Sequence, residues 1–77
     1  MINERQFFRA LGIRIRELRK KHGYTQEDMI GFGFSARHWQ QIEAGRPITL
    51  RTLLRIAGTF GVRAAQLIDA LDRGIYK

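Results

Sequence analysis

Between Asn3 and His22 the apolar residues Phe8, Leu11, Ile15 and Leu18 recur at spacings of three and four. That is the stripe of an amphipathic helix turned towards a core. The remaining faces carry Arg5, Arg9, Arg14, Arg16, Arg19, Lys20 and Lys21, with the cations gathered at the C-terminal end, where they complement the helix dipole. Gly23 ends the segment. Phe7 and Ile13 fall off the stripe, either as a second contact surface or as the scattered exposed apolar residues that most surfaces carry.

The next pattern is shorter and more punctuated. In TQEDMIGFGFSARHWQQIEAGRP, Thr25 to Pro47, Thr25 is an N-cap whose hydroxyl accepts from the free amides that open a helix, and Glu27 and Asp28 place negative charge at the positive end of its dipole. The helix begins near Gln26 and stops where Gly31 and Gly33 flank Phe32, since both glycines can take positive φ. Ser35 is a second N-cap, and Phe34 before it is placed to pack on Trp39 one turn later. This second helix runs to about Ala44, with Gly45 as the left-handed residue after it and Pro47 preventing continuation. Trp39 and Ile42 share the side that faces a core. Ala36, Arg37, His38, Gln40 and Gln41 are left outside.

Beyond Pro47, Thr49 caps a helix with apolar Leu50, Leu53, Leu54, Ile56, Ala57 and Phe60, ending at Gly61 and mostly core. Arg51 and Arg55 sit on its outer face as solvated charge. From Val62 to about Arg73, the residues Ala64, Ala65, Leu67, Ile68 and Leu71, and later Ile75 and Tyr76, describe a last helix. Its apolar surface either closes the monomer's core or forms a dimer surface. No internal repeat, low-complexity run or linker divides the chain. The expectation is one domain over 1–77.

Composition narrows the function. Seventy-seven residues hold one core, and the absence of cysteine removes thiolate zinc sites, disulfides and cysteine catalysis. Fourteen Lys and Arg against seven Asp and Glu leave +7 at pH 7, which favours polyanionic partners. MINERQFFRALG shows no cleavable signal pattern, and no uncharged run approaches the ~20 apolar residues that span a bilayer. The expected location is the cytoplasm. His22 and His38 lie far apart without a carboxylate cluster at ligand spacing, so no metal or cofactor is expected. Ser35 lacks a visible base partner, and Gly31 and Gly33 follow a helix and lack the rest of a phosphate-loop pattern, so no enzyme and no small-molecule ligand are expected. Gln and Arg on the outer face of the Ala36–Ala44 helix are the side chains that pair with adenine and guanine edges in the DNA major groove, which admits one helix.

IRIRELRKKHGYTQEDM, then GFSARHWQQIEAGR, then ITLRTLLRIAGTFGV resemble the Cro/repressor (Xre-like) helix-turn-helix family of bacterial and phage DNA-binding proteins. The resemblance covers about Leu11 to Leu71. It rests on Thr25–Gln26, Gly33 and Ser35, Ile42–Glu43 followed by Gly45, and Leu53…Ile56–Ala57…Phe60–Gly61–Val62. It implies an all-α, compact five-helix lambda-repressor-like fold, with the helix-turn-helix at about 25–45 and the helix 36–44 entering the major groove of double-stranded DNA. The family's base-reading positions carry over to Ala36, Arg37 and Gln41, with Gln40 beside them. Its phosphate-binding positions carry over to Gln26, with Thr25 next to it, and to Arg46 in the loop after the helix, with His38 nearby for phosphate or flanking contacts. Its Arg–Glu pair matches Arg19 and Glu43. Two departures stand out: the turn around Ile30–Gly31–Phe32 is one residue short, and Trp39 replaces a smaller aliphatic residue, so that the larger ring can fill the space left by the shorter turn.

Three function classes follow. The first is a sequence-specific transcriptional regulator, a repressor acting as a homodimer on an inverted repeat. The second is a protein-interaction module of the same fold, such as an antitoxin or assembly adaptor. The third is a membrane-surface binder through the basic amphipathic stretch Phe7–Lys21, which is disfavoured because the core needs that helix's apolar stripe.

Overall fold

Each of the first four helices opens on a side chain that accepts a backbone amide. In the computed structural model, which describes residues 3–72, Asn3 Oδ1 accepts from Gln6 at 3.1 Å and starts α1, Glu4–Lys21. Thr25 Oγ1 accepts from Asp28, whose carboxylate reaches back to the Thr25 amide at 2.7 Å, a reciprocal cap that starts α2, Gln26–Gly31. Ser35 Oγ accepts from His38 at 3.0 Å to start α3, Ala36–Glu43. Thr49 does the same for Thr52 and starts α4, Leu50–Phe60. The short α5, Ala64–Ile68, begins with the Arg63 amide donating to Gln66 Oε1. Five helices and no strand make up the described residues.

The core they enclose is built from Leu11 and Ile15 of α1, Met29 of α2, Phe34 of the turn, Trp39 and Ile42 of α3, Leu53, Ile56, Ala57 and Phe60 of α4, and Leu67 of α5. Phe34 meets Trp39 edge-on with ring centroids 4.9 Å apart. Phe7, Phe8, Leu18, Ala64 and Leu71 pack on its margin, whereas Ile13 is exposed. Gly12 lets α1 lie directly on the end of α3. A methyl group there would stand 2.8 Å from the carbonyl oxygens of both Ile42 and Glu43, which no side chain can do.

Three details differ from the sequence reading. Only Gly33 has positive φ in the α2–α3 turn, at 100°; Gly31 is the last residue of α2, and its helical backbone needs no glycine. In α4 Leu53, Ile56, Ala57 and Phe60 are buried as expected, but Leu50 and Leu54 are 70% and 55% exposed and the face extends to Thr52 instead, whose hydroxyl is satisfied by Thr49 at 3.2 Å and can face inwards. The last helix covers five residues rather than extending to Arg73. Arg14 Nη1 donates to the carbonyl oxygens of Gln66, Leu67 and Asp69, and Ala70 adopts left-handed φ of 64°, so the chain turns away and Leu71 returns to the core margin. Leu67, Ala64 and Leu71 therefore close the monomer's core, and Ile68 stays 38% exposed. Ile75 and Tyr76 lie outside the described residues. No described helix is long and apolar enough to cross a membrane.

Candidate nucleic-acid interface

With Trp39 and Ile42 fully held in the core, the rest of α3 has a fixed rotation. At about 100° per residue, Ala36, Gln40, Arg37 and Gln41 fall in that order along an outward arc of roughly 140°. Ala36, Arg37 and Gln40 are exposed and Gln41 is half-buried. His38 lies beyond the Gln41 edge of the arc, half-buried beside the Ile42 side. Arg46 is exposed in the loop that follows, and its amide donates to Gln41 O at 3.0 Å, which holds the loop against the end of the helix.

On the inner edge of α3 one carboxylate organises four donors. Glu43 accepts from Arg19 Nε at 2.6 Å and Nη2 at 3.1 Å, from Gln26 Nε2 at 3.2 Å, and from the Trp39 indole nitrogen. Arg19 also donates from Nη1 to Tyr24 O at 2.8 Å, so its guanidinium ties together α1, the α1–α2 loop and α3. The paired side chains are only 8% and 6% exposed. Burial works against the Glu43 charge, but the bonds from Arg19, Gln26 and Trp39, with the Arg19 charge behind them, outweigh it and hold the carboxyl below its ordinary range. The hydrogen bond to Glu43 likewise raises Arg19 against the opposing effect of burial. Gln26 is thereby anchored beside the Ala36–Gln40 edge of the arc, and Thr25 remains exposed next to it. Gln26 and His38 sit on opposite edges.

Arg55, read from the sequence as solvated charge, braces the turn. Its guanidinium carbon lies 4.6 Å from the centre of the Phe34 ring and Nη2 donates to Gly33 O at 3.1 Å. This fixes the two residues before the Ser35 cap, and no local sequence pattern announces it.

A family model described as a helix-turn-helix domain matches residues 10–71. The chain belongs to the helix-turn-helix family. No curated protein sequence matches it. For this helix-turn-helix protein the membership points to DNA binding. The matched span runs from α1 to the margin residue Leu71, so it includes every core residue. No group of three His, Cys, Asp or Glu side chains among the described residues is placed to hold a metal ion.

Proposed function

We propose that this helix-turn-helix protein is a sequence-specific transcriptional regulator of the Xre type that represses by occupying an operator. In this reading α3 lies in the major groove. Arg37, Gln40 and Gln41 read base edges and Ala36 meets a thymine methyl, while Thr25, Gln26, His38 and Arg46 contact phosphates. The observation that carries the reading is the outward arc of α3, an amide- and guanidinium-bearing surface held in one rotation by Trp39, Ile42 and the Glu43 hub. A good bidentate pair contributes about 1–3 kcal/mol of discrimination between bases. The +7 charge supplies the sequence-independent attraction to the backbone.

The chain acts as one domain and as a homodimer, with two α3 helices about 34–36 Å apart on an inverted repeat. Support for the dimer comes from a shallow apolar groove of about 200 Å³ between Phe7, Phe8, Leu11, Ile48, Leu50, Leu53 and Ile68, in which Leu50 is the most exposed large apolar residue among those described. The working location is the bacterial or phage-infected cytoplasm, on the nucleoid.

Selection of bound duplexes from a random pool at roughly physiological salt, where nonspecific phosphate binding is weakened, tests the reading. An enriched inverted repeat is the expected result. An enriched single half-site removes the dimer and keeps the reader. No enrichment overturns sequence-specific binding and puts a protein-interaction role, as an antitoxin or adaptor, in its place. With the selected site, Arg37→Ala and Gln41→Ala relax sequence preference, and Arg46→Ala weakens all sequences alike.

A further inference from the structure

The arginines of this chain divide by what their side chains already do. Arg19 is spent on Glu43 and Tyr24, Arg14 on the carbonyl end of α5, and Arg55 on Gly33 and Phe34. Arg5 and Arg9, on successive turns of α1, and Arg46 make no side-chain hydrogen bond or ion pair among the described residues. All three line one open cleft of about 430 Å³ together with Phe8, Ala44, Gly45 and Pro47. Glu4, in the first turn of α1, also lines the cleft, where it complements the helix dipole and forms no ion pair with any of the three.

The backbone fixes this convergence. Gly45 has φ of 91°, and a methyl group there would lie 2.9 Å from Arg9 Cα, so the loop after α3 sits directly on α1 at Arg9. Three arginines against the single carboxylate of Glu4 leave the cleft net positive, which favours an anion. The cleft's place says which anion. The eight residues of α3 span roughly 12 Å, about the width of the major groove, so the chain leaving its C-terminal end emerges at the rim of the groove, where the phosphates run.

We infer that the nucleic-acid surface extends from α3 onto α1, and that Arg5 and Arg9 join Arg46 in a clamp on DNA backbone phosphates at the C-terminal end of the reading helix. The inference rests on the proposed DNA binding and adds two phosphate contacts from a helix outside the motif. These contacts act on affinity and on salt dependence, and are indifferent to sequence.

The test measures association with a selected duplex and with a random duplex of equal length across a salt series. Each lost phosphate contact makes the plot of log K against log salt shallower by about 0.9. Arg5→Ala with Arg9→Ala therefore lowers the slope by about 1.8 on both duplexes and leaves the ratio of their affinities unchanged. Arg9→Lys retains the slope, because an ammonium neutralises a phosphate as well as a guanidinium does. Arg63→Ala, at the start of α5 and outside the cleft, controls for net charge and leaves the slope unchanged. Helical circular dichroism shows each variant folded. An unchanged slope in the double variant while Arg46→Ala still lowers it overturns the extension onto α1 and spares the DNA reading. An equal fall for Arg63→Ala also overturns it, since net charge alone would then explain the loss. Absence of duplex binding by the unaltered protein overturns both.

Discussion

Separating Arg19 from Glu43 is the sharpest perturbation of the scaffold behind α3. Both side chains are more than nine-tenths buried. Arg19→Met leaves the Glu43 carboxylate with only the Gln26 and Trp39 donors, and Glu43→Gln leaves the guanidinium against Tyr24 O and a neutral amide. Breaking such a pair from one side costs about 3–5 kcal/mol, chiefly because a buried charge is left uncompensated. Seventy-seven residues at about 0.05–0.15 kcal/mol each give a total stability of only ~4–12 kcal/mol, so either change removes a large part of it. The double variant Arg19→Met, Glu43→Gln removes both charges, while the amide oxygen can still accept from Trp39. It is expected to cost no more than the worse single change, so the coupling is at least the smaller single cost, about 3 kcal/mol. Urea titrations followed by helical circular dichroism at about 10–20 °C, near the usual stability maximum, keep the weaker variants measurable. If the two single costs simply add, to within about 0.5 kcal/mol, the buried pair is not what couples α1 to α3 and the account of the hub is wrong.

Acid weakens the same hub. Because the folded Glu43 carboxyl titrates below its ordinary range, its contribution is present above the unfolded value near pH 4.3 and disappears as pH falls through the lower folded value. Glu43→Gln should therefore flatten the acid limb of a stability-against-pH curve, and an unaltered limb would argue against it. Arg55→Ala removes a cation over Phe34 and a bond to Gly33 O at an exposed site, a loss of about 1 kcal/mol, read as a melting-temperature fall of roughly 4–8 °C; an unchanged melting temperature would show that the brace is idle. Two glycines in helices should respond in opposite directions to alanine. Gly12→Ala forces a methyl against two backbone oxygens and destabilises by about 1–3 kcal/mol, whereas Gly58→Ala, with nothing within 4 Å, stabilises by about 0.5–1 kcal/mol in urea titration.

Local chemistry made much of the fold legible. Thr25, Ser35 and Thr49 mark helix starts because a cap is written within three residues of itself, and Gly45 with Pro47 marks a stop in the same way. The length of α5 was not legible from that span. Its end is set by Arg14, which reaches carbonyls more than fifty residues away, and apolar periodicity continues through Asp69 and Ala70 regardless. One edge of the α4 face was hidden for a related reason: Thr52 is polar by type, yet the Thr49 hydroxyl lets it face inwards, whereas Leu53, Ile56, Ala57 and Phe60 follow the apolar spacing. Gly12 carried a readable signal, since a lone glycine in an amphipathic helix often marks a close backbone approach. Arg55 carried none. At the candidate interface the spacing of Trp39 and Ile42 is enough to fix which side of α3 faces out, but base contact by Arg37 or Gln41 is a property of a complex and is not encoded in the spacing.

Trp39 is the chain's single tryptophan, fully buried between Phe34 and Phe60 with its indole nitrogen bonded to Glu43. The molecule consequently carries its one indole fluorophore, which can be excited selectively over its two tyrosines, at the joint between its outward helix and its scaffold. Its emission should sit at the blue end of the indole range and stay there if α3 engages a duplex as a rigid body. A red shift on adding a duplex would mean that α3 leaves its seat to bind, and it would be seen without attaching any label.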